Sequence, residues 1–301
     1  MRVSVPATSA NLGPGYDALG LALGLRDTVT VEVADHGVEV LVTGEGEDSL
    51  PRDHRHLVVQ AVRRGFEAMG MRPPGLRLRC ENAIPQARGL GSSSAAIVAG
   101  VLAARALVAG GTLLMDEQAV YALAADLEGH PDNVAPALFG GCTIAYTTGD
   151  GVRVASVAVD PRIQATMIVP PYVMETAAAR RMLPATVPHA DAARNAGRAA
   201  LLVAALSGQP ELLLDATEDR LHQQQRGPAM PESLQLVEGL RGHGVPAVIS
   251  GAGPSVLAFS TEGQEEALRR YVPDRWMVRR LPVDRGAQVE LPPGNSRASR
   301  E

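Results

Sequence analysis

Short runs of alternating apolar and polar residues are interleaved along this chain with longer runs of helical spacing. The two kinds never settle into a regular strand–helix–strand repeat, which predicts an α+β fold in two lobes. Alternation in Thr28–Val33, Val38–Val42 and Leu76–Cys80 predicts half-buried antiparallel strands. Helical spacing follows over His56–Met69, over Ser92–Val108, and from an Asp116 N-cap to about Leu127. A short helix is expected at Asn133–Leu138, stopped by Gly140 and Gly141, and Cys142–Tyr146 reads as a strand. Beyond Val152 a second set begins. Strands are expected at 152–159, 165–169, 247–250, 256–259 and 276–281, and helices at Asp191–Leu206, Glu232–Leu240 and Gln264–Tyr271. The boundary falls near residue 150, and the polar, Pro/Gly-rich residues 285–301 read as a loose tail. Aromatic residues make up only 3% of the chain, so the core must be built from Ala, Val and Leu.

The basic residues narrow the chemistry. All 28 are arginine, and there is no lysine. That removes a Walker A lysine, a protein-kinase strand lysine and a Schiff-base lysine together. A net charge of −5 without a basic stripe argues against nucleic acid as a partner. Cys80 and Cys142 are isolated and fit neither a metal pair nor a redox motif. The N-terminus lacks the long apolar segment of a signal peptide, and the longest apolar run, Ala95–Ala104, is too short to cross a membrane. A cytoplasmic protein is the expectation.

Four segments carry candidate chemistry. In "PQARGLGSSSAA" (residues 85–96), Gly89 and Gly91 allow close backbone approach, and Ser92–Ser94 stand at a helix start. The segment suits an anion site of backbone N–H groups and helix dipole; the ordinary alternative is a loop with a serine cap. In "EGHPDN" (residues 128–133), two carboxylates, His130 and Asn133 gather at a break between helices. Helix punctuation explains that grouping too, but a carboxylate beside a phosphate loop also suits Mg²⁺. "SGAGPS" (residues 250–255) is either a tight turn or a place where a ligand approaches the backbone. The polar "PATSANLGPGYDALG" (residues 6–20) contains Asn11 and Asp17. Arginines in "ETAAARRMLP" and "DRLHQQQR" could grip a carboxylate through their forked donors, although most arginines here must be solvated surface charges.

Taken along the chain, "NLGPGYD", then "PQARGLGSSSAA", then "EGHPDN", then "SGAGPS" resemble the three motifs of the GHMP small-molecule kinases, and the likeness runs from about residue 3 to 281. The two arginine-bearing pieces resemble the branch that phosphorylates L-homoserine in threonine biosynthesis. The resemblance implies a ribosomal protein S5 domain 2-like N-terminal lobe that binds ATP (residues 1–150) and a ferredoxin-like C-terminal lobe (residues 151–284). It implies ATP-dependent transfer to the side-chain hydroxyl of homoserine, with Mg²⁺ held by Ser93 and Glu128. Pro85, Arg88, Gly89, Leu90, Gly91, Ser92, Ser93 and Ser94 would then bind ATP. Asn11, Asp17, His130, Asn133, Thr176, Arg226 and Gly253 would bind substrate, and Asp132 and Arg180 would be catalytic. A homodimer is implied as well. The competing readings are a kinase of the same family acting on another small alcohol, and a non-catalytic interaction protein of the same fold. A pair of carboxylate-gripping arginines favours an amino acid over a neutral sugar.

Overall fold

A computed structural model describes residues 1–260, 268 and 270–290. Its strands are β1 (Arg2–Ala10), β2 (Leu19–Ala34), β3 (Gly37–Gly44), β4 (Gly75–Asn82), β5 (Cys142–Thr148) and β6 (Gly151–Val157). They continue as β7 (Gln164–Val169), β8 (Ala247–Ile249), β9 (Val256–Ser260), β10 (Met277–Leu281) and β11 (Gln288–Glu290). The first helices are α1 (Leu57–Ala68), α2 (Ser92–Leu107), α3 (Gly111–Leu114), α4 (Glu117–Glu128) and α5 (Val134–Phe139). The rest are α6 (Thr176–Arg181), α7 (His189–Ser207), α8 (Leu213–Ala216), α9 (Gln223–Arg226) and α10 (Pro231–Gly242). Asp116 caps α4 as its position predicted, its carboxylate accepting the Ala119 N–H at 2.7 Å.

The first sheet runs β11-β1-β2-β4-β3, with β5 joining β2 and β6. Its β3–β4 pair is parallel, Val38 lying opposite Leu76, which corrects the antiparallel reading of those two runs. The reason is α1, which carries the chain across the sheet between them; a parallel pair needs such a crossover. Strand β6 folds back on β5 through the two residues Gly149 and Asp150, so the first sheet extends past residue 150 to Val157. Residues 288–290, expected to be part of a loose tail, pair with β1 instead. Arg26 holds this segment by donating to Asp284, Arg285 and Gly286.

The second sheet is antiparallel throughout, in the order β10-β7-β9-β8. Counted along the chain this is 4-1-3-2, the ferredoxin-like arrangement. The helix expected at 264–271 falls largely outside the described residues.

One apolar core joins the lobes. It runs from Val3, Leu21 and Val98 through Met167 and Val248 to Leu257 and Phe259. A smaller cluster containing Met230, Leu240 and Trp276 includes residues from the second sheet and α10. Helix α2 lies in the first core, buried along nearly its whole length from Ser94 to Ala104. It meets α1 closely because both use small residues: a Cβ on Gly100 would lie 2.6 Å from Cβ of Ala61. This packing sets where the N-terminus of α2 points.

Candidate active site

The loop between β4 and α2 is held at both ends. Asp27 accepts the N–H groups of Ala83 and Ile84 at 2.7 and 2.9 Å, turning the chain out of the sheet. Leu90 is buried, and its carbonyl accepts the Thr8 N–H at 2.9 Å. Gly89 and Gly91 have φ of +74° and +69°, where side chains with a Cβ are strained. A Cβ on Gly89 would strike the Ser250 carbonyl, and one on Gly91 would strike the Thr8 hydroxyl. Gly91, not a serine, caps α2, and among the described residues no side chain caps the helix's first N–H groups. Those donors and the positive end of a 16-residue helix therefore remain for a ligand.

Carboxylates stand opposite. Gly129 ends α4 in the left-handed conformation and leaves Glu128 at the helix terminus. Glu128 Oε1 accepts both Ser93 Oγ at 2.5 Å and Ser94 Oγ at 2.8 Å. His130 Nδ1 lies 2.8 Å from Asp132 Oδ1, and His130 Nε2 lies 3.9 Å from Glu128 Oε1. Burial lowers the His130 pKa, but its hydrogen bond to Asp132 and the nearby carboxylate charges outweigh burial and raise it overall. Asn133 accepts the Thr8 hydroxyl at 2.8 Å, which ties the start of α5 to β1 beside Gly91.

A charged pocket adjoins these groups. The β1–β2 turn places Asn11, Leu12 and Asp17 at φ of 67°, 49° and 53°. Asn11 fixes the turn from both ends of its amide: Nδ2 donates to the Gly251 carbonyl at 2.9 Å, and Oδ1 accepts the Asp17 N–H at 2.9 Å. Arg180, in the last turn of α6, donates two bonds to the Asp17 carboxylate at 3.0 and 2.8 Å and one to Tyr16 Oη at 3.2 Å. Arg226 is only 2% exposed. It donates to the Gly251 carbonyl at 3.2 Å, lies 3.2 Å from His222 Nδ1, and leaves Nε–H without a partner. Burial pushes the Arg226 pKa down from its ordinary value. Burial likewise lowers that of His222, whose Nε2 lies 2.9 Å from the Gly13 carbonyl. A neutral His222 protonated at Nε2 satisfies both contacts.

One cleft of about 370 Å³ is lined by the loop, both carboxylates and the charged pocket. Most of the sequence-predicted residues face it, including Asn11, Asp17, Pro85, Gly89–Ser93, Glu128, His130, Asp132, Asn133, Arg180 and Arg226. Four do not line it in the same way. Arg88 turns its guanidinium onto the carbonyls of Pro170 and Pro171, both at 3.1 Å. Gly253 packs against Met230, leaving Gly251 and Ala252 as the lining from that turn. Ser94 is buried behind Ser93 on Glu128, and Thr176 opens α6 with a side chain outside the described residues. Tyr16 and Thr8 lie in the polar segment 6–20 and His222 in "DRLHQQQR", but residue type alone does not set them apart there, and Asp27 falls in none of the candidate segments.

The oxygen-rich donor set suits a hard cation. Among the described residues no three His, Cys, Asp or Glu side chains converge on an all-protein metal site. Ser93 and Glu128 fit the commoner Mg²⁺ arrangement, in which phosphates and water complete the coordination.

Comparison with known proteins agrees with this layout. Residues 56–141 match the model of the GHMP kinases N terminal domain, and residues 190–277 that of the GHMP kinases C terminal domain. A homoserine kinase of Streptomyces avermitilis is 54% identical over 290 residues, covering 96% of this chain and 95% of its own. One from Leifsonia xyli is 51% identical over 296 residues, covering 96% and 91%. The crystal structure of homoserine kinase from Cytophaga hutchinsonii superposes with a TM-score of 0.82 at 27% identity, covering 96% of both chains. Mevalonate kinase of L. major shares the fold at 15% identity and a TM-score of 0.66, covering 95% of this chain and 96% of its own.

Proposed function

Because the chain belongs to the homoserine kinase family of GHMP kinases, we propose that its cleft aligns ATP and L-homoserine for direct phosphoryl transfer. The product is O-phospho-L-homoserine. The observation that carries this reading is the convergence of the uncapped N-terminus of α2 with two arginines and a carboxylate in one cleft. An amino acid with a side-chain hydroxyl matches that set of charges, and a neutral sugar leaves the arginines unused.

ATP phosphates lie along Gly89–Ser94, bound by backbone N–H groups where other kinases use lysine. The nucleobase extends toward Leu50, Leu57, Val58 and Pro85 at the apolar end of the cleft. Ser93 and Glu128 would hold Mg²⁺, which would supply charge neutralisation for the phosphates. Arg180 and Arg226 take the α-carboxylate of homoserine, and Asp17 with Asn11 takes the α-ammonium. Asp132, oriented by His130, positions the hydroxyl. The hydroxyl oxygen bonds to the γ-phosphorus as the bond to the β,γ-bridging oxygen breaks. Its proton passes to the transferred phosphoryl group, and ADP leaves. Such a reaction needs alignment and charge neutralisation more than covalent help from the protein.

No helix among the described residues is long and apolar enough to cross a membrane. The family likeness supports a homodimer acting in the cytoplasm, which sedimentation of the purified chain and fractionation of its host test. The activity itself is tested by ATP consumption with homoserine, mevalonate, galactose and shikimate in parallel. Turnover with homoserine alone is expected. Turnover with another alcohol and none with homoserine overturns the assignment.

A further inference from the structure

Asp17 and Arg180 neutralise each other's charge at the cleft wall. They are joined by two hydrogen bonds of 2.8 and 3.0 Å, and both side chains are 37% exposed toward the cleft. The carboxylate is fixed from behind, since the Asp17 N–H is held by Asn11 and its backbone sits at φ 53°. Tyr16 Oη accepts a further bond from Arg180 at 3.2 Å. Arg226 differs, being buried with an unpartnered Nε–H, and is a cation no internal carboxylate neutralises by direct contact among the described residues.

A ligand that takes the full charge of either partner competes with this pair. With a single charge, the ligand satisfies one partner and leaves the other ion unpaired in a half-buried site. A ligand with an ammonium and a carboxylate on one carbon gives both ions a new partner, so one ion pair is exchanged for two. Removing one member of a hydrogen-bonded charge pair costs more than the net worth of the intact pair. We propose that the Asp17–Arg180 pair is a selectivity device, displaced readily by zwitterionic alcohols and resistant to alcohols that carry only one of the two charges. The inference rests on the amino-acid reading of the pocket given above.

Calorimetric titration with two fragments of the substrate tests it: 4-hydroxybutyrate, which lacks the ammonium, and 3-aminopropan-1-ol, which lacks the carboxylate. Asp17→Asn keeps a side chain that tolerates positive φ. This variant should bind homoserine more weakly than the parent does. It should bind 4-hydroxybutyrate about tenfold more tightly than the parent, because Arg180 no longer has to leave a charged partner. Unchanged or weaker binding of 4-hydroxybutyrate overturns the proposal. If Asp17→Asn does not fold, Arg180→Gln with 3-aminopropan-1-ol carries the same test, and a gain in affinity is again required. Failure of the parent protein to phosphorylate homoserine would overturn the substrate reading instead, so the two failures are separable.

Discussion

His130 sits between two carboxylates with opposite demands on it. Burial disfavours its charged form, while the bond to Asp132 and the charge of Glu128 favour it more strongly. Its folded pKa is therefore above 6.5, and its contribution to stability is present below that value and lost as pH rises through the folded pKa. Asp132→Asn removes the larger favourable effect, so the His130 titration followed by NMR should move down in pH; an unmoved titration would show that Asp132 is not its partner. The same carboxylate separates positioning from proton abstraction. Asp132→Ala should raise the KM for homoserine and lower kcat by less than about 100-fold, because a lost general base costs about 10²–10⁴. A larger fall in kcat with homoserine binding preserved would make Asp132 the base. Gly91 marks the limit of what single residues reveal in a sequence. The Gly-Leu-Gly-Ser run showed that the backbone had to bend, but not that Thr8 fills the space a side chain would need. Gly91→Ala should cost about 1–3 kcal/mol in urea unfolding and raise the KM for ATP; unchanged stability would mean the turn can relax around a Cβ.

Elements were easier to read than the joints between them. Alternation revealed the strand at residues 28–33, yet β2 begins at Leu19 and passes through a register shift against β1 opposite Pro6 and Ala7. That irregularity interrupts a period-2 pattern, which is why the first half of the strand was missed. Asp27 lies next to it and binds the end of β4 to the start of the loop that leads into α2. Burial raises the Asp27 pKa from 3.8 to about 6, despite two N–H donors that pull it down. The native state then holds this proton more tightly than the unfolded chain between about pH 4 and 6. Stability falls across that window, and the full cost, at most about 3 kcal/mol, is present above pH 6. Asparagine presents the same accepting oxygen without the charge. Asp27→Asn should match the parent protein in urea unfolding at pH 4, and exceed it at pH 7.5. A difference independent of pH would show that the carboxyl does not titrate in this window.

Across the whole molecule, the contacts that assemble the site join residues far apart in the chain. Arg180 reaches Asp17, Asn11 reaches Gly251, and Ser250 Oγ donates to the Gly89 carbonyl at 2.6 Å. The order of the motifs was visible in sequence because each is local. Their partners were not, because loop-to-loop pairing across two lobes leaves no periodic trace. Arg88 shows the difference: its place in the loop suggested a phosphate contact, and the fold uses it to strap the loop to β7's exit at Pro170 and Pro171. With one apolar core shared by both sheets, the lobes should unfold together. Calorimetry should show a single transition whose calorimetric and van't Hoff enthalpies agree; two resolved transitions would mean that each lobe folds alone. Arg88→Ala removes charged hydrogen bonds to carbonyls in a partly exposed position, a loss of about 1–2 kcal/mol. The single transition should therefore move down by a few degrees without splitting. If instead one part of the heat absorption shifts and the rest stays, Arg88 strengthens one lobe alone and the shared core does not couple them.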